Sequence, residues 1–393
     1  MAERLSNLGY FAFIKEAVKG TPLTPTTYLP IYEETMSTNG NLQTQQPIYG
    51  NKFATFDMLR GQRDHQGDVT TLAEANTTAQ LQDFFLTKST TTGAGPYTHT
   101  FGLSATADPQ SATVDVSTGN IVRRYWGFQI SSFSPDWSTN ELRHKIKASA
   151  LGSFQGRTIA TVTTTTLTLD TKYDPAPNKG LVVGDLVRIF KASTQTVLDT
   201  TIATVNADGI TVTLALSAAA FAAGDTINLR PVTNVTFNLL DTFLWARTEV
   251  RFGATASAAL AATQTRVEDG STYELMHPFE DDAGSKRSGG FDPAALIRMQ
   301  GDGSITVKVY FDTPERLQAF NDLTKSAIVF RHFAGSTNQY EYRITFNAVT
   351  TDTPVATISA QSVNYATITY WPSYNQTDGA AMSTTVINAL ATI

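Results

Sequence analysis

Apolar and polar residues alternate along much of this chain, and the clearest alternation lies between Gly127 and Gly152. Phe128, Ile130 and Phe133 fall on one side of a first extended run, Leu142, His144 and Ile146 on one side of a second, and a polar turn separates them. That period of two is the mark of an antiparallel hairpin with one buried face. Comparable runs predict strands over 7–18, 97–101, 121–133, 235–240, 243–252, 340–349, 355–359 and 365–371. Helical spacing occurs in two places, Leu81 with Phe84 and Phe85, and Leu317 with Phe320 and Leu323. Each follows a short strand and a polar turn. Asn76 or Thr77 suits the N-cap of the first helix. Asp312 or Thr313 suits that of the second, with Pro314 tolerated in its opening turn and Glu315 favoured there by the helix dipole.

The two strand–helix units are versions of one another. Without gaps, Gly67 aligns with Gly303, Thr70 with Thr306, Thr77 with Thr313, Leu81 with Leu317, Gln82 with Gln318 and Phe84 with Phe320, an offset of 236 residues. An internal duplication follows. Residues 157–231 hold a second, smaller repeat. Thr158-Ile-Ala-Thr-Val162 returns as Thr201-Ile-Ala-Thr-Val205, and each copy leads to a Gly-Asp pair before a strand, at Gly184-Asp185 and Gly224-Asp225. Two such units, each roughly 40 residues long, make a small all-β module inserted in a loop of a larger body and displayed on its outside. The expected division is a first β domain over 1–156, the inserted domain over 157–231 and a second β domain over 232–393.

Breakers set the remaining punctuation. The run 20–34 contains Pro22, Pro25 and Pro30 and reads as an extended arm. From Ser37 to Arg63 the chain is polar, with Asn39-Gly40 as a hairpin turn. Residues 90–95 read as a Gly/Thr turn, 268–303 as a second long polar loop in the same place before its repeat strand, and the end as a Ser/Thr/Ala tail. Connections this long in a compact protein usually bind something.

Composition narrows the function. The net charge is −6, and residues 232–393 carry 11 Lys and Arg against 16 Asp and Glu. Gripping nucleic acid through phosphates needs a basic surface, so this balance disfavours it. With 0 Cys the fold needs neither disulfides nor thiolate-bound metal. The start has no secretory leader and no apolar run reaches membrane-spanning length, which leads us to expect a soluble chain made in the cytoplasm. His65, His99, His144, His277 and His332 are scattered without metal-ligand spacing. Glu280-Asp281-Asp282 lacks the alternating ligands of a calcium loop, and Gly93-Ala-Gly95 and Gly301-Asp-Gly303 lack the spacing of phosphate-binding loops. No catalytic, cofactor or metal residues are assigned.

The arm from Gly20-Thr-Pro22 to Leu29-Pro30, the Gly67-Asp-Val strand with its helix, and above all Gly127-Phe-Gln-Ile-Ser-Ser-Phe-Ser-Pro-Asp-Trp137 through Ile146-Lys-Ala-Ser-Ala-Leu-Gly-Ser-Phe-Gln-Gly156 resemble the major tail tube proteins of long-tailed, siphovirus-type bacteriophages. The resemblance covers most of 1–156 and, more loosely, 232–393. It implies a mainly β fold, a β-sandwich or barrel with a flanking helix per repeat, and a structural, non-enzymatic role in the virion. Sheets would join side by side into a ring, and rings would stack into the tube that conducts DNA. Family members commonly form hexameric rings, so a duplicated chain would need three subunits for a pseudo-hexamer. The implied partners are further copies of the chain, the tape measure protein in the lumen, and terminator and distal tip proteins at the ends. Double-stranded DNA would pass without specific binding. The two long loops supply the candidate contacts, Asn39, Gly40, Arg60 and Arg63 in one and Glu280, Asp281, Asp282, Lys286 and Arg287 in the other. A different class is a tail-associated host-surface or carbohydrate-binding protein acting through 157–231.

Overall fold

The computed structural model describes residues 9–41, 43–45, 57–59, 61–104, 106–137, 140–172, 174–237, 239–268, 270–280, 292–293, 295–310, 318, 320–352, 355–357 and 365–393. The described residues are mainly β-strand, with little helix, so the backbone groups of the core are satisfied mainly across sheets. The hairpin read from alternation is present. Val122–Asp136 runs antiparallel to Arg143–Ala150, with Gln129 opposite Ser149 and Phe133 opposite Ile146. A bulge between Ile130 and Ser132 shifts the phase by one residue, which is why Phe133, three positions after Ile130, still points into the core.

From this hairpin the sheet extends both ways. Arg143–Ala150 pairs with Asp64–Leu72, whose other edge carries Ile31–Glu34 and Ser37–Asn39. A Cβ at Gly67 would stand 2.6 Å from the Met36 backbone, so only glycine admits that close approach. In the other direction Val122–Asp136 pairs with Thr272–Met276, followed by Asp302–Tyr310, Tyr365–Pro372 and Tyr340–Thr351. Tyr340–Thr351 also carries Ser326–Ala334 and Met382–Asn388. Met382–Asn388 in turn pairs with Tyr97–Gly102, back in the first half of the chain, and Thr87–Thr92 lies outermost. Among the described residues, 1–156 and 232–393 are thus joined by two pairings of named strands, and one hydrophobic core runs through both, from Phe11 to Val386.

Helix α1 (Ala75–Phe85) buries Leu81, Phe84 and Phe85 against this core. Its cap is Glu74 rather than Asn76 or Thr77. The Glu74 carboxylate is fully buried and accepts from the N–H groups of Asn76, at 2.9 Å, and Thr77. It also accepts from Leu240 N–H at 3.3 Å. A carboxylate with two oxygens satisfies more orphan donors than a hydroxyl and complements the helix dipole. In the second repeat the strand Asp302–Tyr310 is present. The expected caps Asp312 and Thr313, with Pro314, Glu315 and Leu317, lie outside the described residues. Gln318, Phe320 and Asn321 are helical, whereas Leu323 sits past the helix end at φ 48° and is 69% exposed.

Residues 157–231 close on themselves. Arg157–Thr163, Thr166–Leu169, Thr211–Leu214, Thr196–Val205, Leu186–Lys191 and Thr226–Leu229 pair in that order, and the last returns to the first, giving a six-stranded barrel. Its pairings follow the repeat. The Gly184 turn of the first unit bonds to Ile202 of the second at 2.8 Å, and the Gly224 turn of the second bonds to Ile159 of the first at 2.9 Å. Both glycines take φ 91°, a left-handed conformation that a side chain would strain. The barrel interior is filled by residues such as Ile159, Leu167, Val187, Ile189, Ile202 and Ile227, and Val122, Trp126 and Phe154 of the body complete the same cluster.

Several expectations are corrected. The described residues of 235–240 form no strand, and Leu239 and Leu240 pack irregularly against the core. The second long loop contains Thr272–Met276, drawn into the sheet by the alternating buried residues Tyr273 and Leu275. The Gly/Thr turn begins later, because the β-branched threonines of Thr87–Thr92 join a hairpin. The tail supplies Met382–Asn388. No helix among the described residues is long and apolar enough to cross a membrane.

A polar network occupies the centre of the core. His144 Nε2 lies 2.7 Å from Thr78 Oγ1, and His332 lies 3.1 Å from Thr248 Oγ1 and 3.2 Å from Tyr273 OH. Gln82 Nε2 donates to Tyr342 OH at 3.0 Å, and Thr384 Oγ1 donates to Gln82 Oε1 at 3.1 Å. Burial pushes both imidazoles down to about 3, and for His144 the neighbouring His332 adds to the effect. The folded chain therefore holds them neutral while the unfolded chain protonates them near pH 6.5, so stability falls as pH drops below 6.5 and levels off below about 3. We expect a loss of about 2 kcal/mol per histidine at pH 5, read as a falling urea midpoint. His144→Gln should flatten this slope, and a midpoint constant from pH 7 to 5 would refute the account.

Candidate functional site

The first long loop begins as a strand, Ser37–Asn39, paired with the start of Asp64–Leu72. It continues as Gln43–Gln45 paired with Asp57–Leu59. Asn39-Gly40 therefore lies on one arm of a long hairpin rather than at its turn. Asn41 takes φ 41° and its side-chain amide donates to Gln62 O at 2.9 Å and Asp64 Oδ2 at 2.5 Å. A Cβ on Gly61 would stand 2.3 Å from Asn41 O, so the arms cross only because that residue is glycine.

The loops meet at Arg63. Its guanidinium reaches Asp292 of the second loop, Nε to Oδ1 at 2.7 Å and Nη2 to Oδ2 at 2.9 Å. Nη2 is also 3.4 Å from Asp174 of the barrel, which Arg157 contacts at 2.8 Å. His65 Nε2 lies 3.0 Å from the same Asp292 oxygen, while its Nδ1 lies 3.0 Å from Thr38 Oγ1. Burial works to raise the Asp292 carboxyl, but the His65 hydrogen bond and the Arg63 charge outweigh it and hold it below the usual carboxylate range. Burial pulls the Arg157 guanidinium down, against the opposing charge of Asp174. Three remote parts of the chain, two loops and the barrel, share this one charge network.

Thr38, His65 and Asp292 follow the order of an acyl-transfer triad, hydroxyl to imidazole to carboxylate. Arg63 holds both oxygens of the carboxylate, and Thr38 is bonded to Ser153 at 2.8 Å and Gln155 at 2.7 Å. Neither the 190 Å³ slot beside α1 nor the 700 Å³ cleft at the far ends of the strands reaches it. The arrangement positions loops. Among the described residues no three His, Asp or Glu groups converge as metal ligands.

Of the candidate contacts, Asn39 is exposed, Gly40 borders open space, and Glu280 is half-buried with its backbone N–H bonded to Ile297 O at 2.8 Å. Arg63 is buried and engaged within the chain. Arg60, Asp281, Asp282, Lys286 and Arg287 lie outside the described residues. Sequence reasoning missed Asp292, Asp174 and Arg157, whose separation along the chain hides their meeting.

A second charge cluster fixes the barrel. Arg124, 1% exposed, contacts Asp115 at 2.7 and 2.9 Å and Asp185 of the first Gly-Asp turn at 2.5 Å. Thr24 Oγ1 donates to the other Asp185 oxygen at 2.7 Å. Burial opposes the charge on Arg124, but the two carboxylates outweigh it and raise its pKa further. The equivalent Asp225 carboxylate bonds within its own turn, to Ala222 N–H at 2.9 Å. Removing the shared cation leaves two buried carboxylates unpaired, so Arg124→Met should cost about 3–5 kcal/mol in urea denaturation, while Asp225→Asn should cost no more than about 1 kcal/mol. Equal losses would contradict the assigned roles. Neither a scan against models of known protein families nor a search of curated proteins finds a match for this chain.

Proposed function

We propose that this chain is a structural, non-enzymatic protein that polymerises into stacked rings forming the tail tube of a long-tailed bacteriophage. Three subunits make each pseudo-hexameric ring. The observation that carries this reading is the side-by-side junction inside the chain. The first half, with its strand, α1 and the hairpin Thr87–Gly102, meets the second half edge to edge. The contacts are Val122–Asp136 with Thr272–Met276 and Tyr97–Gly102 with Met382–Asn388. A chain that already joins two sheet units laterally supplies the pattern for joining the next chain.

An open edge supports the same reading. Thr87–Thr92 has no second strand partner among the described residues, and Thr90, Thr91 and Thr92 are exposed. Unpaired strand edges are ready templates for pairing with another chain. The acidic balance, −6 overall, suits a conduit that must let polyphosphate pass without holding it. The barrel, anchored through Arg124, would stand rigidly on the tube wall.

Electron microscopy of the purified full chain, with native mass spectrometry of the same sample, tests the proposal. Hollow rings or tubes with a ring mass of three chains are expected. A six-chain ring would refute the pseudo-hexamer, and a chain that stays monomeric in the presence of a tail initiator complex would refute the tube.

A further inference from the structure

We propose that the cleft at the ends of the strands Tyr97–Gly102, Asp302–Tyr310, Tyr365–Pro372 and Met382–Asn388 is a binding site for a neutral saccharide. It is an open space of about 700 Å³, within the range of pockets that hold small ligands. The Tyr374 ring, 62% exposed, and Met299, 49% exposed, stand on its border. Gln300, Asp302, Ser104 and Ser373 face the same space. An exposed aromatic ring beside groups that both donate and accept is what a pyranose requires. Its apolar C–H face packs on the ring, and its hydroxyls bond to the carboxylate, amide and hydroxyl groups. The small residues Gly379, Ala380 and Ala381 also line the cleft and leave room for an extended ligand.

Charge selects against ionic ligands. Arg298 lines the cleft, yet its guanidinium is turned inward. It donates to the carbonyls of Ile130 and His277 at 2.8 Å each and of Phe84 at 3.2 Å, and lies 4.5 Å from the centre of the Phe279 ring. Burial and the nearby Arg298 push His277 down to about 4, so it is neutral at physiological pH. Asp302 spends one carboxylate oxygen on Gly303 N–H at 2.7 Å. A phosphate or carboxylate would therefore meet no outward-facing cation among the lining residues. An added peptide strand fares little better, since the wall carbonyls of Ala380 and Ala381 already accept from Asn347. The barrel at 157–231 has a filled interior, and sugar binding in the cleft does not depend on ring assembly.

Saturation-transfer NMR and calorimetry of the full chain with maltotetraose, cellotetraose and tetra-N-acetylchitotetraose test the site. Binding of at least one probe is expected. Tyr374→Ala should weaken it about tenfold or more, Gln300→Ala should weaken it less, and Tyr32→Ala, at an exposed ring elsewhere, should leave it unchanged. Both cleft variants alter exposed side chains, so folding is preserved. No binding of any probe at about 10 mM, or unaltered binding by Tyr374→Ala, would overturn the proposal. So would shielding of Tyr374 from hydroxyl-radical labelling on assembly, which would make the cleft a seat for another protein chain.

Discussion

The hydrogen bonding of one strand holds the molecule together. Val122–Asp136 pairs near its start with Thr226–Leu229 of the barrel, then with Ala112–Ser117 and Gly152–Phe154 on its two sides. Its second part pairs with Arg143–Ala150 and Thr272–Met276. First half, barrel and second half all meet on this backbone. Each bond contributes only about 0.5–1.5 kcal/mol net, but a buried donor left without a partner costs more, so displacing any one part exposes groups that nothing else can satisfy. Gly127 makes the strand's double role possible. It takes φ 62°, and a Cβ there would meet the Leu151 side chain at 2.6 Å. The strand turns at that point from one sheet into the next.

Buried charge supplies the specificity that apolar packing alone does not. Glu74 ties the start of α1 to the segment at Leu240, Arg124 ties the barrel to the body, and Arg63 ties both long loops to the barrel. Each carries a desolvation cost that only one arrangement of partners offsets, so alternative dockings of the same apolar surfaces leave a charge unpaired. The histidine and tyrosine network between α1 and the strands of both halves acts similarly, through neutral hydrogen bonds. Nothing in it depends on the order of residues along the chain.

That independence explains what could be read in advance. The hairpin around Gly127–Gly152 and the strand with α1 follow from local periodicity and were legible. So was the repeat of the barrel, although its closure depends on pairings between units that no single unit reveals. Strands with weak local signals were missed. Ala112–Ser117 carries Asp115 at its centre, tolerated because Arg124 lies beside it, and Thr272–Met276 is a strand chiefly because neighbours stand on both its edges. The run 235–240 shows the converse, a favourable pattern whose described residues find no partner strand. At the loop junction Arg63 is visible in the sequence as a cation, but its acids Asp174 and Asp292 are placed by tertiary structure alone.

The pairing of Tyr97–Gly102 with Met382–Asn388 joins residues far apart along the chain, His99 to Val386 for example. A ribosome releases the first of these strands long before it makes the second. During that interval the inner edge of the early hairpin has no partner, and the shared core lacks its last strand. The lateral sheet can therefore be completed only after residues 382–388 have left the ribosome, so the nascent chain must delay association until that strand has filled the gap.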